Sequence, residues 1–396
     1  MATSHSTLDL TRYLADVLSI RPEDFEVEVL RGSYTNLAAR ATFKQPITLP
    51  SSFRYENPVQ TVILKVAKPF MHVLPSYAVP MSRQSVEARA LRIFRGEELE
   101  GVTKVLARSQ PLKVPELVFH DTSSNVIWMT DLGRSRILSD HILNGPPQQA
   151  TIETLGTTLG RFFGGLFNNT KNPSSDTTRS LADSRHLMEF LTSQTERVVD
   201  ELPGGVTPEI AALLGRMRSA LDRESHPEQC LGMVDLWPGS VLIDDNGECG
   251  LVDWEHFGLT DPGTDLGMFV GHLHLLTLHD GAPEGAAAST TTFISTFASS
   301  YFEANPGISA YFERRFLIAH GRSLICGTNV FAETFLESTK IRAIKAGLSC
   351  LQAAGEQGGA GVTYDALVEL PPDIKRGVDR FLAPRDEESR VVPPIS

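Results

Sequence analysis

The sequence is poor in cysteine. Its 396 residues include four cysteines, and Cys230, Cys249, Cys326 and Cys350 form neither a C-x-x-C pair nor a closely spaced group. This spacing argues against a zinc-finger type of metal site and against a fold held together by disulfides. Since cytosolic proteins keep their thiols reduced, we expect a cytoplasmic protein with free cysteines.

Long apolar runs and an excess of basic residues are also missing. No stretch reaches the roughly 18 consecutive apolar residues of a membrane-spanning helix, and the opening residues MATSHSTLDL do not have the basic-then-apolar pattern of a leader. Lys and Arg total 36 against 48 Asp and Glu, which gives a net charge of −12. Nucleic acids and anionic membranes need a basic surface, so we expect neither as a partner. An anionic cofactor needs only a local positive pocket and stays compatible with this charge.

Length and hydrophobic pattern predict two lobes. The chain is longer than a single hydrophobic core usually supports. Short strand-like segments dominate the first third, and long helical segments follow, interrupted by a β segment at 231–253. We predict an α+β fold with a β-rich N-lobe at 1–130 and a mainly helical C-lobe at 131–385. The charged, proline-bearing end at 386–396 is expected to be a disordered tail.

The β segment concentrates oxygen-bearing side chains. The Asn-Gly pair at 246–247 is typical of a two-residue hairpin turn, and such a turn would place Ser240 directly opposite Asp253. Asp235 lies just before the same hairpin. A three-residue turn would break this pairing. Hydroxyl and carboxylate oxygens suit Mg²⁺, although a single aspartate beside a turn more often serves as a local hydrogen-bond acceptor.

The same segment resembles a known catalytic sequence. In order along the chain come MVDLWPGS at 233–240, DWE at 253–255 and DPGTDLG at 261–267. This series is similar to the H-G-D-x-x-x-x-N, D and D-P-x-x-D-L elements of the aminoglycoside phosphotransferase and choline kinase-like family. Met233 stands at the histidine and Ser240 at the asparagine. The branch with methylthioribose kinase and hydroxytryptamine kinase is nearest, because it too can have M-x-D-L-W.

The resemblance implies a two-lobed protein-kinase-like fold that uses ATP and Mg²⁺. Asp235 would orient and deprotonate the acceptor group, and Asp253 would bind the metal together with the Ser240 hydroxyl. The nucleotide would be held by residues of a glycine loop, a strand lysine with its helix glutamate, and the segment that contacts the base. These residues are Gly32, Ser33, Asn36, Lys65, Glu87, Trp128, Met129 and Asp131. From the residues alone, Lys65 could instead face solvent at a sheet edge, and Trp128 and Met129 could equally be core.

Three functions stay open on this sequence. The leading one is a small-molecule kinase of secondary metabolism that phosphorylates a hydroxyl or an amine. The second is a kinase fold without phosphoryl transfer, which the serine at position 240 and the methionine at 233 would favour. The third, phosphorylation of protein hydroxyls, is disfavoured because no A-P-E-like segment follows Asp253. The acidic composition fits a cationic acceptor, and His272, His274, His320 and Asn329 are polar candidates near it, although buried structural roles fit them better.

Overall fold

The computed structural model divides into two compact units. The described residues are 8–30, 35–53, 55–72, 75–144, 149–179, 181, 185–202, 205–220, 228–307, 309–330 and 335–356. The first unit lies within Met1–Glu98 and Val114–Gly133, and the second within Leu99–Lys113 and Arg134–Ser396. Residues 99–113 thus group with the second unit, whereas the sequence pattern put the boundary at residue 130. No helix in the described ranges combines the length and the apolar character needed to cross a bilayer.

The first unit is built on one antiparallel sheet. Its strands are β1 (Phe25–Val29), β2 (Leu37–Ile47), β3 (Val59–Val66), β4 (Leu117–Asp121) and β5 (Val126–Thr130), and its helices are α1 (Leu10–Leu18) and α2 (Arg83–Arg95). The strand order is β1-β2-β3-β5-β4. Strand side chains alternate between the two faces of a sheet, and in β3 one face carries Val62, Leu64 and Val66. These three residues join the hydrophobic core that α1 covers.

The second unit is mainly helical. Its helices are α3 (Glu100–Arg108), α4 (Leu138–Leu143), α5 (Gln149–Asn169), α6 (Ser175–Thr178), α7 (Arg185–Asp200), α8 (Pro208–Ala220), α9 (Pro262–Thr277), α10 (Ala286–Ala304), α11 (Ala310–Val330) and α12 (Glu337–Glu356). Its strands are β6 (Ser135–Ile137), β7 (Cys230–Gly232), β8 (Val241–Asp244), β9 (Cys249–Leu251) and β10 (Gly258–Thr260). They form a three-stranded sheet β6-β8-β9 and a pair β10-β7. A sheet unit followed by a helical unit confirms the predicted α+β class.

Two helix pairs in this unit approach closely through glycines four residues apart. On α9, a Cβ atom added to Gly267 would lie 2.3 Å from the carbonyl oxygen of Phe316 on α11. Gly263 and Gly271, one turn away on either side, would clash with α11 carbonyls in the same way. The second pair repeats the pattern, with Gly156, Gly160 and Gly164 of α5 against α10. The spacing places each set on one helix face, so the helix backbones nearly touch.

Replacing Gly267 with alanine is therefore expected to destabilise the protein. The added methyl meets backbone rather than a flexible side chain, so α9 and α11 must move apart, at a cost of about 1–3 kcal/mol. Gly215 on α8 is the matched control, because its Cβ would meet no atom within 4 Å. Gly215→Ala should gain up to about 1 kcal/mol from helix propensity. Urea unfolding of both variants measures the difference, and equal effects at the two positions would contradict this packing argument.

Candidate active site

A buried ion pair marks the first unit. Lys65 on β3 is 6 % exposed and Glu87 on α2 is 2 % exposed, and the lysine Nζ donates to Glu87 Oε1 at 2.9 Å. Burying either charge alone would cost several kcal/mol, so each requires the other. The partner that the sequence pattern assigns to Lys65 is the one it contacts.

The strand register separates Trp128 from Lys65. Met129 pairs with Ile63 and Trp128 with Leu64, and directly opposed residues share a face. Met129 therefore lies on the face of Lys65, but Trp128 lies on the core face. Its indole is fully buried, stands edge-on to Phe53 and donates from Nε1 to the Tyr13 hydroxyl at 3.0 Å. Trp128 is thus a core residue and does not share the sheet face of Lys65, so the interpretation that it lines a base pocket is wrong.

Two further candidates of the first unit, Asp131 and Asn36, have structural hydrogen-bond partners. The Asp131 carboxylate accepts from Arg40 Nε at 2.7 Å and Nη2 at 3.0 Å, and also from the Gly133 amide. Asn36 is 2 % exposed, and its Oδ1 accepts from Arg83 Nη2 at 2.9 Å. Gly32 and Ser33 fall outside the described residues. Asp131 therefore anchors its own segment to β2.

In the second unit, the β8–β9 hairpin has a three-residue turn instead of the predicted two-residue turn. Val241 pairs with Leu251 and Ile243 with Cys249, and the Val252 amide donates to the Ser240 carbonyl. Ser240 is thus opposite Val252, one residue short of the predicted Asp253. The cause is Asp244: its Oδ1 accepts from the amides of residues 246 and 248. Gly247 takes the left-handed conformation at φ +81° that ends such a three-residue loop.

Ser240 still carries the feature expected of a ligand. It is fully buried, and its hydroxyl has no hydrogen-bond partner among the described residues. A buried unsatisfied hydroxyl is costly, and a hard cation would satisfy it. The described residues contain no group of three or more His, Cys, Asp or Glu side chains placed to hold a metal. A hydroxyl oxygen such as that of Ser240 is the hard type of ligand that Mg²⁺ prefers.

Asp235 lies in a strongly charged environment. Burial raises the pKa of its carboxyl, and the negative charges of Glu255 and Asp253 add to this rise, whereas His256 and Arg322 oppose it. Sequence reasoning assigned no role to Glu255, His256 or Arg322. Glu255 lies within the D-W-E match at 253–255 and His256 follows it, so the sequence places both near Asp253. No sequence signal places Arg322 of α11 near Asp235. The arrangement gives a carboxyl suited to taking up a proton.

The turn before Asp235 is strained. Val234 has φ +64°, a left-handed conformation that is a genuine outlier for a β-branched residue. Its amide donates to Asp265 Oδ2 at 3.2 Å, while Asp265 Oδ1 accepts from the Thr260 hydroxyl at 2.7 Å. A Cβ added to Gly232 would lie 2.3 Å from Asp265 Oδ2, the oxygen that accepts from the Val234 amide. Asp265 therefore holds this loop, although Met233 cannot hydrogen-bond as a histidine would.

The strain at Val234 predicts that a glycine variant is more stable than an alanine variant at this position, the reverse of the usual order. At ordinary backbone angles alanine is more stable than glycine by about 0.5–1 kcal/mol. A left-handed conformation costs an L-residue roughly 1–2 kcal/mol, so Val234→Gly should be more stable than Val234→Ala by about 1 kcal/mol. The same pair at Val86, a buried residue of helix α2, should show the ordinary order. Urea unfolding of the four variants checks this, and a more stable alanine variant at both positions would contradict it.

The start of α9 is fixed to α11. Asp261 caps the helix by accepting from the Thr264 amide at 2.8 Å. Its Oδ2 also accepts from Arg315 Nε at 3.0 Å and from the Thr264 hydroxyl at 2.7 Å. Asp261 is 2 % and Arg315 6 % exposed. The first aspartate of the D-P-x-x-D pattern, Asp261, thus forms a buried ion pair with Arg315. The second, Asp265, accepts the hydrogen bond from the Val234 amide that holds the loop before Asp235.

The histidine candidates lie in the packing of α9 and α11. His274 Nδ1 is 2.8 Å from His320 Nε2, and His320 Nδ1 is 3.3 Å from Cys350 Sγ. Burial lowers the pKa of His320 to about 3 and that of His272 to about 4, and it holds the pKa of His274 well below its usual range. Asn329 donates to Gln194 at 2.7 Å. The three histidines are therefore neutral in the folded protein.

Neutral buried histidines predict acid sensitivity. The unfolded chain takes up their protons near pH 6.5, but the folded protein does not until much lower pH. The unfolded state then binds more protons, so stability falls as pH drops below about 6.5, by up to about 1.4 kcal/mol per pH unit and histidine. Unfolding free energies at pH 7.5 and 5.5 measure the slope. His320→Gln should flatten this slope, because it removes one of the histidines whose pKa burial lowers. An unchanged slope in His320→Gln would contradict the assignment.

Comparison with known proteins places these features in a family. Residues 76–292 match the sequence profile of the phosphotransferase enzyme family, APH. The 4-hydroxytryptamine kinase of Psilocybe cubensis is 24% identical over 302 residues, which cover 74% of this chain and 78% of that protein. The protein of the same name from Psilocybe cyanescens is 25% identical over 324 residues, 76% and 83% of the two chains.

Solved structures agree on the fold. The microcompartment-associated aminopropanol kinase superposes with a TM-score of 0.52 at 14% identity, covering 91% of this chain and 98% of that one. The amicoumacin kinase hAmiN, in complex with AMP-PNP, Ca²⁺ and Ami, gives a TM-score of 0.51 at 13% identity and covers 87% of this chain and 92% of that one. The fold is that of the protein-kinase-like phosphotransferases. With more than half of its length matching the family profile, the chain belongs to the phosphotransferase enzyme family.

Proposed function

We propose that the protein is an ATP- and Mg²⁺-dependent kinase that phosphorylates the hydroxyl group of a small amine. The observation that carries the proposal is the loop at Val234 and Asp235, where a strained backbone held by Asp265 presents a carboxyl of raised pKa next to Glu255 and Asp253. Strain of this kind persists only where surrounding contacts hold it, and it concentrates at functional sites.

Each residue would have one role. Lys65, kept in place by Glu87, would contact the α- and β-phosphates, as the strand lysine does in kinase folds. Asp235 would orient the acceptor hydroxyl and accept its proton. Asp253 and the Ser240 hydroxyl would hold Mg²⁺, which when bound neutralises charge on the phosphates. Met129 would lie beside the base, since it shares a sheet face with Lys65.

The acceptor is proposed from the relatives. Both fungal relatives are named 4-hydroxytryptamine kinases, so a hydroxylated aromatic amine is the first acceptor class to test. An amine also agrees with the net charge of −12, since a negative protein attracts cations. Because the phosphoryl group would be transferred to the hydroxyl, the ammonium group of such an acceptor would stay available to bind the protein.

A coupled assay of ADP release tests the proposal. The purified protein would be incubated with ATP, Mg²⁺ and a panel that includes 4-hydroxytryptamine, tryptamine without the hydroxyl, and a hydroxylated analogue without the amine. We expect ADP release and a phosphorylated product only where a hydroxyl is present. Calorimetry with ATP and Mg²⁺ comes first, because absence of nucleotide binding at millimolar ATP would exclude phosphoryl transfer and support a kinase fold with another use.

A further inference from the structure

One face of α2 buries an unusual set of polar side chains. Arg83, Gln84 and Glu87 are 4 %, 5 % and 2 % exposed, although arginine, glutamine and glutamate are mostly surface residues. Buried polar groups are tolerated when they are hydrogen-bonded. Glu87 is accounted for by Lys65. Arg83 and Gln84 are not part of the proposed chemistry, and their contacts therefore need a separate explanation.

Arg83 connects three segments of the first unit. Its Nη2 donates to Asn36 Oδ1 at 2.9 Å and to the Lys68 carbonyl at 2.9 Å, with a longer contact of 3.4 Å to the Thr35 carbonyl. Its Nη1 donates to the Pro80 carbonyl at 2.8 Å. Asn36 belongs to the glycine loop that is expected to hold the nucleotide, Thr35 precedes it, and Lys68 follows the strand that carries Lys65. A guanidinium offers several donors in a fixed planar geometry, which suits such a junction.

Gln84 reinforces the same junction. Its Nε2 donates to the Lys65 carbonyl at 3.2 Å and to the Asn125 carbonyl at 2.6 Å. Arg83 and Glu87 are four residues apart and therefore lie on one face of α2, one turn from each other. One turn of one helix thus contacts the Lys65 side chain, the Lys65 backbone and the chain at Asn36.

We propose that Arg83 is a positioning residue for the nucleotide: it fixes the Thr35–Asn36 segment to the helical turn that presents Glu87 to Lys65. The inference rests on the proposed ATP-dependent function. Groups that are already ordered before the ligand arrives bind it more tightly, because less conformational entropy is lost on binding. In this role Arg83 acts on the nucleotide through Asn36 and the Lys65–Glu87 pair.

Calorimetry with ATP and Mg²⁺ on the full chain tests the proposal. Arg83→Met should raise the Kd for ATP about tenfold or more, the size of one lost charge-assisted hydrogen bond. Arg83→Lys should restore part of the affinity, since one ammonium can reach fewer of these acceptors than the guanidinium does. Arg89→Met is the matched control, because Arg89 lies on the same helix and pairs with Glu98 instead. Its Kd should stay within about twofold of the wild type.

Steady-state kinetics and a double-mutant cycle separate positioning from general loss of structure. The KM for ATP should rise in Arg83→Met while the KM for the acceptor is unchanged. Asn36→Ala keeps the three carbonyl contacts of Arg83 and should fold; its effect on ATP binding should be non-additive with Arg83→Met. Additive effects, or equal ATP affinity in wild type and Arg83→Met, would overturn this proposal alone. Absence of ATP binding by the wild type would overturn the proposed function as well.

Discussion

Asp235→Asn is expected to lower kcat by about 10²–10⁴-fold, the usual contribution of a positioned general base. Asparagine has nearly the same shape, but it cannot accept the proton of the acceptor hydroxyl. The KM for ATP should change little, because the proposed phosphate contacts belong to Lys65 and the metal ligands. The coupled ADP-release assay with a competent acceptor measures the effect, and calorimetry confirms that the variant binds ATP.

Asp245→Asn is the matched control for this variant. Asp245 is exposed in the turn of the same hairpin, so the substitution removes an equal charge close in sequence without touching the strained loop. Its kcat should stay within about twofold of the wild type. If Asp235→Asn also retained full turnover, Asp235 would not be the base, and the phosphotransferase mechanism assigned to this loop would be wrong.

The largest loss of stability is expected at the ion pair between Asp261 and Arg315. Asp261→Ala removes the helix cap of α9 and leaves the guanidinium, which is 6 % exposed, without its carboxylate. Breaking a buried pair by removing one partner costs about 3–5 kcal/mol. Urea unfolding measures this directly. Turnover should fall in parallel, since α9 also carries Asp265, which holds the loop at Val234.

A double-mutant cycle with Arg315→Met separates the coupling energy between Asp261 and Arg315 from the contributions of their other contacts. When both charges are absent no buried charge is left unpaired, so the double variant should lose less than the sum of the two single losses, by about 1–3 kcal/mol. Glu100→Gln provides the surface reference: Glu100 and Lys104 pair on α3 with side chains 83% and 61% exposed, and the loss should stay below about 1 kcal/mol. Additive losses in the cycle would mean that the two buried side chains act independently.

The features that sequence predicted correctly are those with a local cause. A lysine buried in an apolar strand needs a partner, and the resemblance assigned Glu87 of the helix that follows; the structure contains this contact. The α+β class followed from the change from strand-like to helical periodicity. The D-P-x-x-D pattern indicated a family, but its aspartates act through Arg315 and the Val234 amide, which lie 54 and 31 residues away in the chain.

The features that sequence missed depend on side-chain geometry. The observed hairpin register differs by one residue from the predicted one, because Asp244 caps the turn and Gly247 closes a three-residue loop. An Asn-Gly pair alone does not distinguish a two-residue from a three-residue turn. Trp128 lies on the core face because it pairs with Leu64, the neighbour of Lys65 on the opposite face of β3. This follows from strand alternation once the pairing of the two strands is known. The proximity of Arg322 to Asp235 depends on how α11 packs, which no single segment encodes.

The strained turn at Val234 also has a genetic consequence. Valine and glycine codons differ by a single base, so any library made by random mutagenesis contains the relaxed glycine form of this loop. The valine side chain packs in a buried cluster with Met188, Leu191, Met268 and Cys326, and glycine would lose that packing while gaining backbone freedom. Selection of such a library for turnover, and separately for thermal tolerance, would reveal whether rigidity before Asp235 serves the reaction or only the fold.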